Sequence, residues 1–231
     1  MLKHRSTQKE LLDEDNIPKE ALFQNLKELN TINTLLGGYK ITFSALNKIT
    51  EPTKSYSLID IGCGGGDTLK QINAWSKKNH RAFNLYGIDI KPECIEYAKA
   101  NTANEPIKYI CDDYRNTFTH LGQVDIIHAC LFCHHLTENE LIELVQFAVR
   151  NKGTLVINDL ERNSIAYYAI KILTALFSKS YLVKNDAALS VARGFKKQEW
   201  IDILSKAGVK KYSVKNKWAF RHEVIVYGNQ S

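Results

Sequence analysis

The sequence predicts an α/β fold built on a mostly parallel sheet, and two observations carry this prediction. From position 57 onward, strand-like and helix-like stretches alternate, and right-handed strand–helix–strand connections place helices on both faces of a parallel sheet. The first strand-like stretch runs directly into four glycines within the five positions 62–66. Glycines let the backbone turn sharply at the carboxyl edge of the sheet, where ligands of such folds bind.

The alternating elements follow one another with short connections. A T-x-x-E capping box at Thr137 and Glu140 marks the start of one helix. The predicted elements are strand 57–61, helix 67–78, strand 84–89, helix 92–101, strand 107–111, strand 124–129, helix 138–150, strand 153–158, helix 196–207 and strands near 209–215 and 222–228.

A helical cover precedes the first strand. Apolar side chains at spacings of three and four predict one helix over 22–36 and a second over about 39–49, with Gly37-Gly38 between them. Residues 1–17 are polar and are expected to be loose. Residues 1–50 precede the alternating strands and helices, so they must pack over some part of the sheet. We expect them to cover the carboxyl edge, where the ligand binds.

The alternation of strand-like and helix-like stretches is interrupted after Asp159. An insertion at that place hangs over the carboxyl edge of the sheet, so residues 160–195 are predicted to form a helical lid. With 231 residues and 44% hydrophobic content, the whole chain, 1–231, is predicted to fold as one domain.

The residues around the glycine loop suit a nucleotide-type ligand. Asp89 ends the second strand, where an acid can accept hydrogen bonds from both hydroxyls of a ribose. A nicotinamide-binding loop counted from Gly62 needs Gly or Ala at position 67, where this chain has Asp67. Asp60 stands two residues before the first glycine, and a carboxylate there suits an ammonium group better than a pyrophosphate.

Charge and cysteine content argue against several other classes of protein. The formal charge is +6, but the 31 Lys and Arg are scattered, as on a solvated surface. Five cysteines without disulfide spacing, and a start without an apolar signal-type run, predict a cytoplasmic protein. The most hydrophobic segment, 165–177, is interrupted by Lys171 and is too short to span a bilayer.

The C-x-x-C-H motif at residues 130–134 is not interpreted as a haem-attachment site. Cys130-Leu-Phe-Cys133-His134 satisfies the C-x-x-C-H pattern of c-type haem attachment. Met1 is the only methionine, so an axial methionine ligand is lacking. Packing of small thiols behind a strand is the preferred interpretation, and zinc binding by these cysteines with the two histidines is the alternative.

The stretch from Asp60 to Gly66 resembles motif I of the class I S-adenosylmethionine (SAM) dependent methyltransferases, and Asp89 resembles the acid of their motif II. The resemblance implies a three-layer, Rossmann-like, seven-stranded sheet in the order 3-2-1-4-5-7-6, with the last strand antiparallel. It implies SAM as cofactor and S-adenosylhomocysteine (SAH) as product. Asp112 first, and Asp113 next, are the candidates for meeting the adenine amino group. The cofactor-binding residues so implied are Gly38, Asp60, Gly62, Cys63, Gly64, Gly66, Asp67, Asp89, Ile90, Asp112, Asp113, Ala129 and Leu131.

A narrower resemblance concerns the acceptor. Residues 123–135 resemble motif IV of small-molecule methyltransferases of the quinone-biosynthesis type, and the Pro-Pro-aromatic sequence of base and glutamine methyltransferases is absent. Residues 29–38, 157–162 and 190–195 resemble a bacterial subgroup associated with type III polyketide synthase pathways and with phenolic or related lipid-like hydroxyls. The resemblance implies O-methylation of a small, fairly apolar acceptor.

A hydroxyl acceptor must lose its proton, and an imidazole within hydrogen-bond reach can take it. His134 is the first candidate base, with His135 and Asp159 as further catalytic candidates. A structural role of the two histidines at the sheet edge is the alternative. Metal dependence is not expected, because Ala129 or Cys130 stands where a catechol-type metal site would have an aspartate.

The lid supplies candidates for holding the acceptor. Arg162 is expected to orient the base or the acceptor. The substrate-binding candidates are Arg162, Tyr167, Tyr168 and Arg193, and an apolar pocket is expected to be lined by Tyr167, Tyr168, Phe177 and Trp200. Ordinary packing inside the lid is the alternative for each aromatic residue.

Two other functions stay open from sequence alone. One is a SAM-binding sensor or assembly protein without catalysis, and the other is an RNA methyltransferase, which predicts a basic patch beside the ligand edge. A small-molecule acceptor is the expected partner, and nucleic acid is not. The apolar face of residues 163–185, with Lys171, Lys179 and Lys184, is a candidate contact for a membrane surface or a second copy of the chain.

Overall fold

The computed structural model describes residues 2–120 and 123–230. Its strands are β1 Ser55–Ile61, β2 Ala82–Asp89, β3 Ile107–Cys111, β4 Ile126–Cys130, β5 Thr154–Leu160, β6 Tyr212–Lys217 and β7 Arg221–Val226. They form one seven-stranded sheet in the order β3-β2-β1-β4-β5-β7-β6. This order confirms the one that the sequence resemblance implies.

The direction of pairing is also as expected. The pairs from β3 through β5 are parallel, and β7 runs antiparallel to both β5 and β6. In the register, Ile61 lies beside Ile88, and Asp60 lies beside His128. The carboxyl ends of β1, β2 and β4 therefore meet at one edge, which brings the glycine loop next to Asp89.

The helices cover both faces of the sheet. They are α1 Lys19–Leu35, α2 Gly38–Ile49, α3 Asp67–Lys78, α4 Pro92–Asn101, α5 Tyr114–His120, α6 Glu138–Arg150, α7 Ser164–Phe177, α8 Tyr181–Arg193 and α9 Lys197–Lys206. Short 3-10 helices occupy Leu11–Asp13 and Cys133–His135. The predicted bounds of α3, α4 and α6 are confirmed to the residue. Helix α5 was not predicted, because its one short apolar pair, Tyr114 and Phe118, gives too little periodicity.

Two apolar cores form the layers on either side of the sheet. Leu58 belongs to the core with side chains of α2, α3 and α4. Its neighbour Ile59 belongs to the core with side chains of α5, α6 and α9. Successive strand residues point to opposite faces, so this alternation makes the three layers that the sequence predicts.

The predicted lid consists of two helices with well-formed starts. The side chain of Asn163 accepts a hydrogen bond from the amide of Ile165 and so caps α7. Ser180 caps α8 in the same way, through the amide of Val183. Helix α8 buries much of its surface, whereas most of the α7 side chains are exposed.

The prediction of a loose N-terminal segment is wrong for its described part, residues 2–17. Glu10 is only 3% exposed, and the amides of Leu11 and Leu12 both donate to the carboxylate of Asp186 in α8. The segment is held by buried polar contacts to distant residues. Hydropathy carries no information about contacts between residues far apart in sequence, so the sequence predicts a solvent-exposed segment.

Among residues 2–120 and 123–230, no helix combines the length and the apolar character that a membrane span requires.

Candidate functional site

The glycine loop leaves β1 in a conformation that few other residues adopt. Gly62, Gly64 and Gly66 all have positive φ, between 50° and 73°. A Cβ added at Gly62 would lie 2.2 Å from the ring of Phe132, so a side chain could not fit there. Gly66 also begins α3, whose first amides point towards the loop.

Asp89 fastens this loop to the end of β2. One of its carboxylate oxygens accepts a hydrogen bond from the amide of Gly64 (2.8 Å), and the other from the amide of Lys91 (3.0 Å). Burial raises the pKa of Asp89, although these two amides partly offset the effect. Each oxygen keeps a lone pair free for a ribose hydroxyl.

A cleft of about 300 Å³ opens beside the loop. Most of the residues predicted to bind the cofactor line it: Gly62, Cys63, Gly64, Asp67, Asp89, Ile90, Asp112, Asp113 and Leu131. Sequence reasoning missed the contribution of the N-terminal helices, which supply Leu26, Leu29, Asn30, Asn33 and Tyr39. An amphipathic pattern predicts these helices, but the pattern does not show which of their side chains face a ligand.

Asp60 does not take the predicted place in the cleft. It is 2% exposed, and its Oδ1 lies 2.6 Å from Nδ1 of His128 on the neighbouring strand. Nε2 of His128 lies 3.0 Å from the hydroxyl of Thr42 in α2. Asp60 therefore helps to hold β1, β4 and α2 together behind the cleft. It is absent from the cleft lining formed by the described residues.

Three further residues predicted at the cofactor also lie behind the cleft lining. Gly38 accepts a hydrogen bond from the side chain of Asn158, and Ala129 is fully buried in β4. Gly66 is covered by Tyr109, whose hydroxyl would lie 2.3 Å from an added Cβ. Close packing explains the small size of each residue, and none of the three is in the described lining.

A second, larger cavity of about 550 Å³ lies next to the first. Its wall is mainly apolar and comes from α1, α7, α8 and the turn before β7. The two cavities share four wall residues, namely Leu12, Leu29, Leu131 and His135. The wall also contains polar side chains, among them Glu161, Lys217 and Arg221. The cluster of Glu10, His134 and His135 in the wall is called the polar end of the cavity.

His134 is held firmly at this polar end. Its Nδ1 lies 2.7 Å from Oδ1 of Asp159, and its own amide donates to Oδ2 at 3.0 Å. Burial would raise the pKa of Asp159, but the adjacent imidazole and the amide of Leu160 hold it below the ordinary value. An ionised Asp159 can accept from Nδ1–H, and in the neutral imidazole of that tautomer the lone pair is on Nε2.

The free ring nitrogens face a buried carboxylate. Nε2 of His134 lies 3.5 Å from Oε1 of Glu10, and Nε2 of His135 lies 3.9 Å from Oε2. Nδ1 of His135 lies 2.9 Å from a carboxylate oxygen of Asp13. Burial raises the pKa of Glu10 to about 7, with His135, the side chain of Ser190 and Arg193 partly offsetting this effect. Oε1 of Glu10 is buried and has no hydrogen-bond partner among the described residues.

Arg193 and Arg162 have structural roles in place of the predicted contacts with the acceptor. Arg193 donates to the carbonyls of His134 (3.1 Å) and His135 (3.2 Å) and to Asp13 (2.9 Å), and so fixes the loop that carries the histidines. Arg162 forms two hydrogen bonds with Glu199, of 2.7 and 2.9 Å. In the described structure neither guanidinium lines the large cavity.

The aromatic residues predicted to line an acceptor pocket are also elsewhere. Trp200 is fully buried in the core beneath α9, and Phe177 is 77% exposed. Tyr168 is 55% exposed on the outer side of α7, and its neighbour Tyr167 packs against it. Helix α7 instead turns Ala166, Ala169, Ile170 and Leu173 towards the cavity.

Comparisons with known proteins agree with this geometry. Residues 58–153, which contain the glycine loop and Asp89, match a family described as "Methyltransferase domain". The chain is similar to this methyltransferase family over these residues, about two fifths of its length. It is thus a SAM-dependent methyltransferase, and SAM is its cofactor, as the cleft lining predicts. No curated protein matches the chain.

Solved structures share the fold of this methyltransferase at low sequence identity. The plantazolicin methyltransferase BpumL, solved with SAH, has a TM-score of 0.64 and 20% identity over 91% of this chain and 95% of its own. Human N-acetylserotonin methyltransferase, solved with SAM, has a TM-score of 0.63 and 16% identity over 91% and 56%. A putative O-methyltransferase from Nostoc punctiforme PCC 73102 has a TM-score of 0.60 and 15% identity over 89% and 59%.

Proposed function

We propose that the methyltransferase methylates a hydroxyl group of a small, fairly apolar acceptor, and that a phenol is the preferred class. One observation carries the proposal: an apolar cavity of about 550 Å³ shares a wall with the cofactor cleft and ends on His134, His135 and Glu10. The names of two neighbours, a putative O-methyltransferase and N-acetylserotonin methyltransferase, support small-molecule methylation. The quinone-biosynthesis and polyketide resemblances of the sequence favour the same acceptor class.

The polar end of the cavity suits removal of the hydroxyl proton. SAM supplies an already activated methyl group, so the protein has to align the acceptor, exclude water and take up the proton. Glu10, His134 and His135 place one carboxylate and two ring nitrogens around the same point. We assign the hydroxyl to this point, with Asp159 fixing the orientation of His134 and with Arg193 and Asp13 fixing the loop.

An RNA acceptor has less support. An RNA methyltransferase needs an open basic groove beside the cofactor, whereas the space beside this cleft is an apolar cavity enclosed by α1, α7 and α8.

The outer face of α7 supports a route for the acceptor. We propose that this face contacts an anionic membrane surface, from which an apolar phenol enters. Ile165, Ile172 and Phe177 are 60–77% exposed. Residues 163–185 contain three lysines and no carboxylates, which complements anionic headgroups. The opposite side of the same helix lines the cavity.

A screen of acceptors tests the proposed function. The purified protein is incubated with SAM carrying a radioactive methyl group and with separate panels of alkylphenols, of catechols and of total RNA. We expect label in an organic-soluble phenol ether with at least one alkylphenol. Label only in RNA would overturn the proposal, and Asp89→Ala, which weakens cofactor binding, serves as the control for background transfer.

A further inference from the structure

The geometry points to a divalent-cation site at the polar end of the acceptor cavity, formed by Glu10, His134 and His135. The inference rests on the proposed function only in giving the cation an acceptor hydroxyl to act on. Metal dependence is not expected from the sequence, because Ala129 or Cys130 stands where a catechol-type site would have an aspartate. Glu10 is not among the expected ligands, since it lies about 125 residues before the histidines and in a segment expected to be loose. Folding brings the three groups together.

The distances suit a cation with nitrogen and oxygen ligands. One ligand atom from each of the three residues lies within 4.8 Å of the others. The contacts of Glu10 with the two Nε2 atoms measure 3.5 and 3.9 Å. Ligand atoms about 2.0–2.2 Å from a tetrahedral zinc ion lie about 3.3 Å apart, so small side-chain movements would complete the coordination.

The outer contacts of the histidines are those of metal ligands. Histidines that bind a metal place the other ring nitrogen against a carboxylate or a carbonyl. Here Nδ1 of His134 lies 2.7 Å from Asp159, and Nδ1 of His135 lies 2.9 Å from Asp13. Both imidazoles thus direct Nε2 towards Glu10, and with the proton on Nδ1 each Nε2 offers a lone pair to a cation.

Glu10 itself points to a missing partner. It is 3% exposed, and its Oε1 has no hydrogen-bond partner among the described residues. A buried carboxylate oxygen without a partner is unfavourable unless a proton or a cation binds it. The nearest cation, the guanidinium of Arg193, stays 3.9 Å away and is used by other groups.

The charged side chains around this point carry more negative than positive charge. With neutral imidazoles, four carboxylates face two guanidinium groups around this point; the residues are Glu10, Asp13, Asp159, Asp186, Arg5 and Arg193. A divalent cation would balance the difference. Two imidazole nitrogens and one carboxylate are typical ligands of Zn²⁺ and of neighbouring first-row divalent cations.

Three protein ligands leave a coordination position that faces the large cavity. A hydroxyl bound there acquires a lower pKa. It gives up its proton to solvent, its oxygen forms the bond to the methyl carbon, and the electron pair of the carbon–sulfur bond passes to the sulfur. The cation would thus perform the deprotonation step of the proposed function.

Cobalt binding tests the site without an activity assay. The full-length protein is stripped with a chelator and titrated with Co²⁺, whose visible absorption reports imidazole and carboxylate coordination, and Zn²⁺ is then added as a competitor. We expect one Co²⁺ per chain, displaced by one Zn²⁺, and an affinity at least tenfold weaker in Glu10→Gln and in His135→Ala. Glu161→Gln, a cavity-lining carboxylate outside the cluster, should bind Co²⁺ like the unmodified protein.

The folded state of each variant is verified by its circular dichroism spectrum and its urea unfolding midpoint, since His135 also lines the cofactor cleft. Asp159→Asn provides a second test, because loss of the outer carboxylate is expected to weaken metal binding about tenfold. Absence of stoichiometric Co²⁺ binding, or equal affinity in Glu10→Gln and Glu161→Gln, would overturn the inference. Methylation of an alkylphenol by the chelator-treated protein would overturn the role of the cation while leaving the proposed function intact.

Discussion

Nδ1 of His134 lies 2.7 Å from Oδ1 of Asp159, and both side chains are almost completely buried. The contact joins the loop after β4 to the end of β5 and determines which ring nitrogen faces the acceptor cavity. Whether Nε2 takes the proton directly or binds a cation, its orientation depends on this contact.

Replacing His134 by alanine should lower turnover about 100-fold, because the group that acts on the acceptor hydroxyl is lost. SAH affinity should stay near that of the unmodified protein, since the glycine loop and Asp89 are untouched. Steady-state kinetics on the acceptor from the screen, together with SAH calorimetry, check both values. Turnover within threefold of the unmodified protein would show that His134 is structural.

Asp89→Ala should weaken SAH binding by about 1.5–3 kcal/mol, or roughly 10- to 150-fold, because the ribose hydroxyls lose a charged acceptor. The loop also loses the bond between Gly64 and Asp89. Calorimetry with SAH measures the change, and Asp202→Ala on the surface of α9 is the matched control. Equal affinity in the two variants would remove Asp89 from the cofactor site, and NAD should give no measurable heat with any of them.

Arg193→Met should destabilise the fold by about 3 kcal/mol. The variant leaves Asp13 and the carbonyls of His134 and His135 without the donor that holds them. Urea unfolding gives the free energy of unfolding, and Arg150→Met at the exposed end of α6 is the control. If both variants lose the same stability, the N-terminal segment is not held through Arg193.

Ile172→Glu should reduce binding to vesicles that contain anionic phosphatidylserine by at least tenfold. The substitution puts a charge in the middle of the exposed apolar face of α7 and outside the lining of the cavity. Cosedimentation with phosphatidylserine vesicles, and with neutral phosphatidylcholine vesicles as a control, measures the effect. A dimer in solution that Ile172→Glu dissociates, with no vesicle binding by either protein, would assign the face to a second copy of the chain.

Local patterns in the sequence predicted the parts of the fold and site that depend on neighbouring residues. The glycine loop, Asp89 and the bounds of α3, α4 and α6 all follow from short-range spacing. The strand order follows from the family resemblance.

The errors concern residues whose role depends on distant partners. From its position before the glycine loop, Asp60 is expected to contact the ligand. In the fold, β4 places His128, 68 residues further along the chain, beside it. Helix α7 is apolar on nearly all sides, so its sequence does not show that Ile170 faces the cavity while Tyr168 faces outward. In the sequence, Glu10 is one acidic residue in a polar segment. Its burial results from packing against α8 and the loop that carries His134 and His135.

The most direct test of the central claim is a crystal structure with SAH and an acceptor identified in the screen. We expect the acceptor to fill the apolar cavity with its hydroxyl oxygen within about 3.5 Å of Nε2 of His134 and pointing towards the sulfur of SAH. An acceptor bound with its hydroxyl away from the polar end, for example beside Trp218 in the cavity wall, or outside the cavity altogether, would contradict this claim.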